Sequence, residues 1–135
     1  MEKHIENIII QFLSNKIAPV LIILFGSRVT GRRTNKDSDI DIAFLSESEI
    51  EKYDLFLIAQ ELASTINIEV DLIDLSKAST VFQAQIIHTG RTIYCEDEHI
   101  KAEFELKTFK MYAKLNEERA PILKQIDESG SIYEK

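Results

Sequence analysis

Val20-Leu21-Ile22-Ile23-Leu24-Phe25-Gly26-Ser27, followed after a basic loop by Asp39-Ile40-Asp41-Ile42-Ala43-Phe44, is the stretch that decides the fold. The first run is apolar at every position and rich in β-branched residues, so it reads as a central strand covered on both faces. Gly26-Ser27 ends it sharply, and a short helix fits before Gly31. The second run alternates. Ile40, Ile42 and Phe44 share one face, and Asp39, Asp41 and Ala43 share the other, as in a half-covered strand. Ile68-Glu69-Val70-Asp71-Leu72-Ile73 alternates in the same way, with Glu69 and Asp71 on its polar face.

Around this centre, residues 3–16 carry Ile5, Ile8, Ile9, Phe12 and Leu13 at helical spacing, and Pro19 ends the pattern. Residues 50–65 form a second amphipathic helix through Leu55, Ile58, Ala59 and Leu62. Residues 77–89 form a third, with Gly90 as its stop. Thr92-Ile93-Tyr94 fits a short strand. From about Ile100 the chain reads as a long charged helix with Phe104, Phe109, Tyr112 and Leu115, in which Pro121 should introduce a kink or restart. Ser129-Gly130-Ser131 begins a tail that should fray. The expected architecture is α+β: a small mixed sheet with helices on one face, plus a C-terminal helix, leaving the carboxylate face open. Residues 1–98 form the expected catalytic domain. Residues 99–135 form a helical extension, either part of the same unit or a docking element.

The chain has 135 residues, enough for one domain with a real core. Lys and Arg total 16 against 23 Asp and Glu, a net charge of −7 with 44% hydrophobic residues, which excludes a disordered chain and argues against a general nucleic-acid binder. The longest apolar run, Ile17 to Phe25, is far short of the ~20 residues of a membrane span. The start, Met1-Glu2-Lys3-His4, lacks a secretory pattern. Cys95 is the only cysteine, so no internal disulfide forms, and a cytoplasmic setting is expected.

The chemistry is carried by carboxylates. Asp39 and Asp41, two apart on a strand, project from one face and repel unless a cation lies between them. Asp71 joins them if its strand is a neighbour. Three oxygen donors with no His or Cys select Mg²⁺ or Mn²⁺ and leave coordination positions for phosphate. Gly26 lets a phosphate approach closely, Ser27 adds a hydroxyl, and a following helix start would add free N–H groups. Arg28, Arg32, Arg33 and Lys36 place four cations within nine residues of an otherwise acidic chain, which points to an anionic ligand. Asp37 is assigned to loop hydrogen bonding, Asp74 to solvent, and Glu69 to an accessory position. His4, His88 and His99 show no ligand spacing. Cys95 is inert. Tyr53, Tyr94, Tyr112 and Tyr133 are structural.

This order of Gly26-Ser27, basic loop, Asp39-Ile40-Asp41 and a later Asp71 resembles the nucleotidyltransferase superfamily that includes DNA polymerase β, and its minimal members in particular. The resemblance covers residues 20–95. Eleven residues separate Ser27 from Asp39 where the family usually has ten. The tail, through Phe104-Glu105-Leu106, Phe109, Met111-Tyr112-Ala113 and Pro121-Ile122-Leu123, is similar to that of MntA-type antitoxins. The resemblance implies two Mg²⁺ ions on Asp39, Asp41 and Asp71, and ATP phosphates held by Gly26, Ser27 and Arg28. It implies transfer of AMP to a tyrosine of a HEPN-domain RNase toxin in a hetero-oligomer, with no direct nucleic-acid or membrane binding. Two other functions fit the residues: modification of a small molecule, which usually needs an additional helical domain, and neutralisation of a partner by contact alone.

Overall fold

The computed structural model describes residues 3–26 and 39–128, with side chains described through residue 117. The elements are α1 (Lys3–Ile17), β1 (Leu21–Phe25), β2 (Ile40–Leu45), α2 (Lys52–Ile66), β3 (Val70–Asp74), a 3-10 turn (Leu75–Lys77), α3 (Thr80–Thr89), β4 (Arg91–Cys95) and α4 (Glu98–Glu128). The expected short helix after Gly26, the loop at 34–38 and the tail at 129–131 lie outside the described residues.

The strands form one mixed sheet in the order β3-β2-β1-β4. β1 pairs antiparallel with β2 and with β4, while β2 and β3 are parallel and joined by α2. A parallel pair requires such a crossover. The wholly apolar character of β1 follows from its position. Ile22 and Leu24 enter one buried cluster with Ile9 and Leu13 of α1 and Ala59 and Leu62 of α2. Leu21 and Ile23 enter a second with Ala43, Leu45 and Ile86 of α3.

The α+β class with a small mixed sheet is as expected, but the helices occupy both faces rather than one. α1 and α2 cover the first face. α3 and the start of α4, through Phe82, Ile86, Ile100 and Phe104, cover part of the second. The reason lies in β2. Its second face is not polar throughout: Asp41 is half-buried, but Ala43 is fully buried and Leu45 nearly so. Apolar surface at the Ala43–Leu45 end drives helix packing there. The Asp41 end remains uncovered by that cluster.

Three local expectations also change. Asp74 is buried, because the chain turns immediately into the 3-10 turn and the Asp74 carboxylate accepts from both the Ser76 amide (3.1 Å) and its hydroxyl (2.7 Å). Of the kink or restart expected at Pro121, the restart does not occur: α4 continues to Glu128, one missing N–H being tolerated between good helix formers such as Glu117, Ala120 and Leu123. Tyr53 is 67% exposed and packs in no core. Gly90 does stop α3, in extended rather than left-handed backbone. A Cβ there would press on Ile23 and on the Ile86 carbonyl. No helix among the described residues is long and apolar enough to cross a membrane.

The first helix and the last strand are tied by Arg91 of β4, whose guanidinium donates to both carboxylate oxygens of Glu6 on α1. The bidentate pairing holds the Glu6 carboxyl below its ordinary 4.5. A depressed carboxylate contributes stability above its unfolded value and loses it as pH falls through the folded value. Since the Arg91 side chain is 47% exposed, screening reduces the contribution to about 1 kcal/mol. Glu6→Gln should therefore destabilise by about that amount at pH 7, and the gap from the parent should narrow as pH falls below 4.5 and through the lowered folded value; urea denaturation across an acid pH series measures both.

Candidate active site

The parallel register of β2 and β3 sets Asp41 opposite Asp71. Residues opposite one another on adjacent strands project to the same face, so these carboxylates are neighbours. On the other side, Asp41 lies opposite Phe25, the last residue of β1. The row is therefore Asp71, Asp41, then the end of β1 and Gly26. Asp39 stands exposed immediately before β2.

Gly26 is required twice at this point. Its φ is +88°, a conformation that side-chain-bearing residues rarely adopt, and an added Cβ would overlap Oδ2 of Asp41 and lie 3.0 Å from its Cγ. The bend after β1 is thus pressed directly against the central carboxylate. Sequence spacing alone assigned Gly26 to phosphate approach and missed its contact with Asp41.

The Asp41 carboxyl is pushed above its ordinary 3.8, first by burial and then by the negative charges of Asp71 and Asp39. Glu69 is not among the groups that perturb it. No cation among the described residues is one of the groups that act on this carboxyl. Among the described residues, no group of three or more Asp, Glu, His or Cys is drawn together closely enough to hold a metal. The arrangement is an open set of oxygen donors in mutual repulsion. That chemistry fits a hard divalent cation, whose arrival would relieve the repulsion and return Asp41 to its ionised form.

Ser27 and Arg28, expected to hold phosphates, lie outside the described residues, as do Arg32, Arg33, Lys36 and Asp37. His4, His88 and His99 are exposed. Burial pushes the Cys95 thiol upward, in keeping with an inert cysteine. Sequence reasoning also missed a cleft of about 570 Å³ against β3, with Asp71 in its lining beside Phe56 of α2 and Phe82 of α3. Its available signal was Phe56, an aromatic off the buried stripe of α2.

Residues 7–99 match the family described as polymerase beta, nucleotidyltransferase. The chain belongs to this family. It is 36% identical over 127 residues to the protein adenylyltransferase MntA of Shewanella oneidensis, covering 93% of this chain and 90% of that protein. A crystal structure of a toxin–antitoxin with AMP-PNP superposes with a TM-score of 0.80 at 37% identity, covering 90% of this chain and 97% of the other. A tri-AMPylated Shewanella oneidensis HEPN toxin in complex with an MNT antitoxin gives a TM-score of 0.77 at 35% identity, covering 93% and 98%. The nucleotidyltransferase fold and the antitoxin resemblance read from the sequence are thereby met.

Two outcomes are expected. Because the folded Asp41 is raised above its unfolded value, it disfavours folding as pH rises through that interval toward neutrality. Asp41→Asn should melt at a higher temperature than the parent at pH 7 in chelator, and Mg²⁺ should raise the melting temperature of the parent but not of the variant. Gly26→Ala should lose about 1–2 kcal/mol from backbone strain alone, with further loss from overlap with Asp41; thermal unfolding measures it.

Proposed function

We propose that this chain is an Mg²⁺-dependent antitoxin that transfers AMP from ATP to a tyrosine of a HEPN-type RNase toxin and so neutralises it. The observation that carries this reading is the in-register Asp41–Asp71 pair set against Gly26. It is supported by the relative named as a protein adenylyltransferase, by the AMP-PNP complex and by the AMPylated HEPN toxin bound to an MNT antitoxin. A reaction that draws on ATP, in a chain with a single cysteine, supports a cytoplasmic setting.

Asp39, Asp41 and Asp71 would hold two Mg²⁺ ions. When bound, these ions polarise the phosphates and lower the pKa of a coordinated hydroxyl. Gly26, Ser27 and Arg28 hold the triphosphate by backbone approach, hydroxyl donation and charge. A tyrosine hydroxyl, with pKa near 10 in water, is a weak nucleophile at neutral pH. Asp71 orients it and accepts its proton. The phenolic oxygen forms a bond to the α-phosphorus, the bond from that phosphorus to the bridging oxygen breaks, and pyrophosphate leaves with the electron pair.

Residues 1–98 carry this chemistry, and the extension from 99 docks the partner. α4 has two apolar faces. Phe104 packs on the second core cluster and Thr108 is buried, while Leu106 and Phe109 are 61% and 42% exposed. With exposed Ala102 and Ala113 they form an i, i+4, i+7, i+11 stripe turned away from the core, a spacing suited to helix packing.

The test is incubation with α-labelled ATP, Mg²⁺ and a cognate HEPN protein sought in the neighbouring reading frame. Label should appear on a tyrosine of that protein, and Asp39→Asn or Asp41→Asn should lower the rate by at least about 10²-fold, as for loss of several kcal/mol of charge stabilisation. Leu106→Glu with Phe109→Glu should weaken complex formation without altering ATP binding. Full neutralisation by a triple Asp→Asn variant would instead show inhibition by contact alone.

A further inference from the structure

The cleft against β3 has an unusual lining. Five consecutive residues, Val70 to Asp74, border it, although alternate residues of a strand face opposite sides of a sheet. A cleft that meets both sets runs along the edge of the strand rather than over one face. β3 is an edge strand in the order β3-β2-β1-β4. The hydrogen bond from the Ile40 amide to the Glu69 carbonyl (2.9 Å) fixes which backbone groups serve the β2 ladder. In a parallel ladder of this register the Asp71 and Ile73 amides face β2, and those of Val70 and Leu72 face outward into the cleft.

The walls are apolar. Leu55 and Phe56 of α2 stand on one side, and Phe82 of α3 on the other. Phe56 is 56% exposed and continues outward into exposed Tyr53 and Leu57. Free strand edge, alternating pockets and aromatic walls are the elements that bind an extended peptide by strand addition. The nucleotide belongs elsewhere. Gly26 follows β1, on the opposite side of Asp41 from β3. The phosphates therefore approach from the β1 side, and whatever lies in the β3 cleft meets Asp71 from the other.

Resting on the function proposed above, we infer that the tyrosine-bearing segment of the acceptor protein binds in extended form along the free edge of β3, between α2 and α3. This strand addition presents its hydroxyl at Asp71. Five residues of strand span about 16 Å, enough to fix the register of the tyrosine. Lys52 and Lys77 border the same cleft and are balanced by Asp71 and Asp74 in its lining, so the strand edge and the apolar walls, rather than net charge, recognise the segment.

Hydrogen exchange on the full-length protein, with and without the full-length HEPN partner, tests the inference directly. The outward amides of Val70 and Leu72 should exchange fast alone and become protected in the complex, whether or not transfer occurs. Steady-state transfer gives the second readout. Phe56→Asp, a surface change, should raise KM for the partner about tenfold, the effect of losing ~1.4 kcal/mol of contact, with kcat and ATP affinity unchanged; Phe56→Tyr should restore the parent value. Unprotected β3 amides, or an unchanged KM, would overturn the inference. So would loss of ATP affinity in Phe56→Asp, which would assign the cleft to the nucleotide. Absence of transfer with β3 still protected would overturn the adenylylation reading and leave the docking edge standing.

Discussion

Two mutually repelling carboxylates on neighbouring strands, pointing the same way, are the constraint around which this fold is built. Parallel pairing of β2 with β3 fixes Asp41 beside Asp71, and the bend at Gly26 presses the backbone onto Asp41 from the other side. Both features oppose folding. They are offset by the core on either side of β1, where Leu21, Ile22, Ile23 and Leu24 are all buried. Full burial of each such side chain is worth roughly 1.5–3 kcal/mol, so one strand outweighs a local electrostatic penalty on a half-buried group. The cluster is strained locally and affordable globally, as in functional sites where stored repulsion is released by a ligand.

Strand order gives this cluster a direction. Asp41 lies on the middle strand of three, with the glycine bend on one neighbour and Asp71 on the other. A nucleotidyl transfer must bring an anionic donor and a hydroxyl acceptor to opposite sides of one phosphorus. The sheet supplies two different flanks for that purpose. The β1 flank offers backbone that can approach closely because it has no side chain. The β3 flank offers a carboxylate to orient a hydroxyl and a strand edge to align the chain that bears it. In the docking mode proposed above, the acceptor's own backbone completes the sheet at the β3 edge.

Much of this was legible in the sequence because β1 and β2 have unambiguous patterns. A run with no polar residue between Val20 and Phe25 has to be covered on both faces, and Asp39-Ile40-Asp41-Ile42 has to present its acids together. The face assignments failed where one strand changes character along its length. Ala43 and Leu45 share a side with Asp41, so the apparent polar face is half core, and α3 and α4 pack there. Asp74 appeared solvated because its partner is the Ser76 of a turn that only exists once β3 ends. The cleft was illegible for a different reason. Whether β3 is an edge depends on pairing with β2 and on nothing beyond it, which is topology rather than periodicity; only the misplaced aromatic Phe56 hinted at it.

The two edges of the sheet are treated differently, and the difference bears on function. Edge strands invite unwanted pairing, and proteins usually guard them with charge or cover. At β4, Arg91 is clamped by both oxygens of the half-buried Glu6, so α1 and an ion-pair partner stand beside that edge. At β3 the edge opens into a cleft with apolar walls, continuous with exposed aromatic surface on α2. Among the described residues no element pairs with that edge, and an open edge is a liability in stability terms. It is retained at the one strand that carries Asp71. The hazard of strand addition and the need to hold a tyrosine in register at a carboxylate are the same physical property, and here they fall on the same five residues.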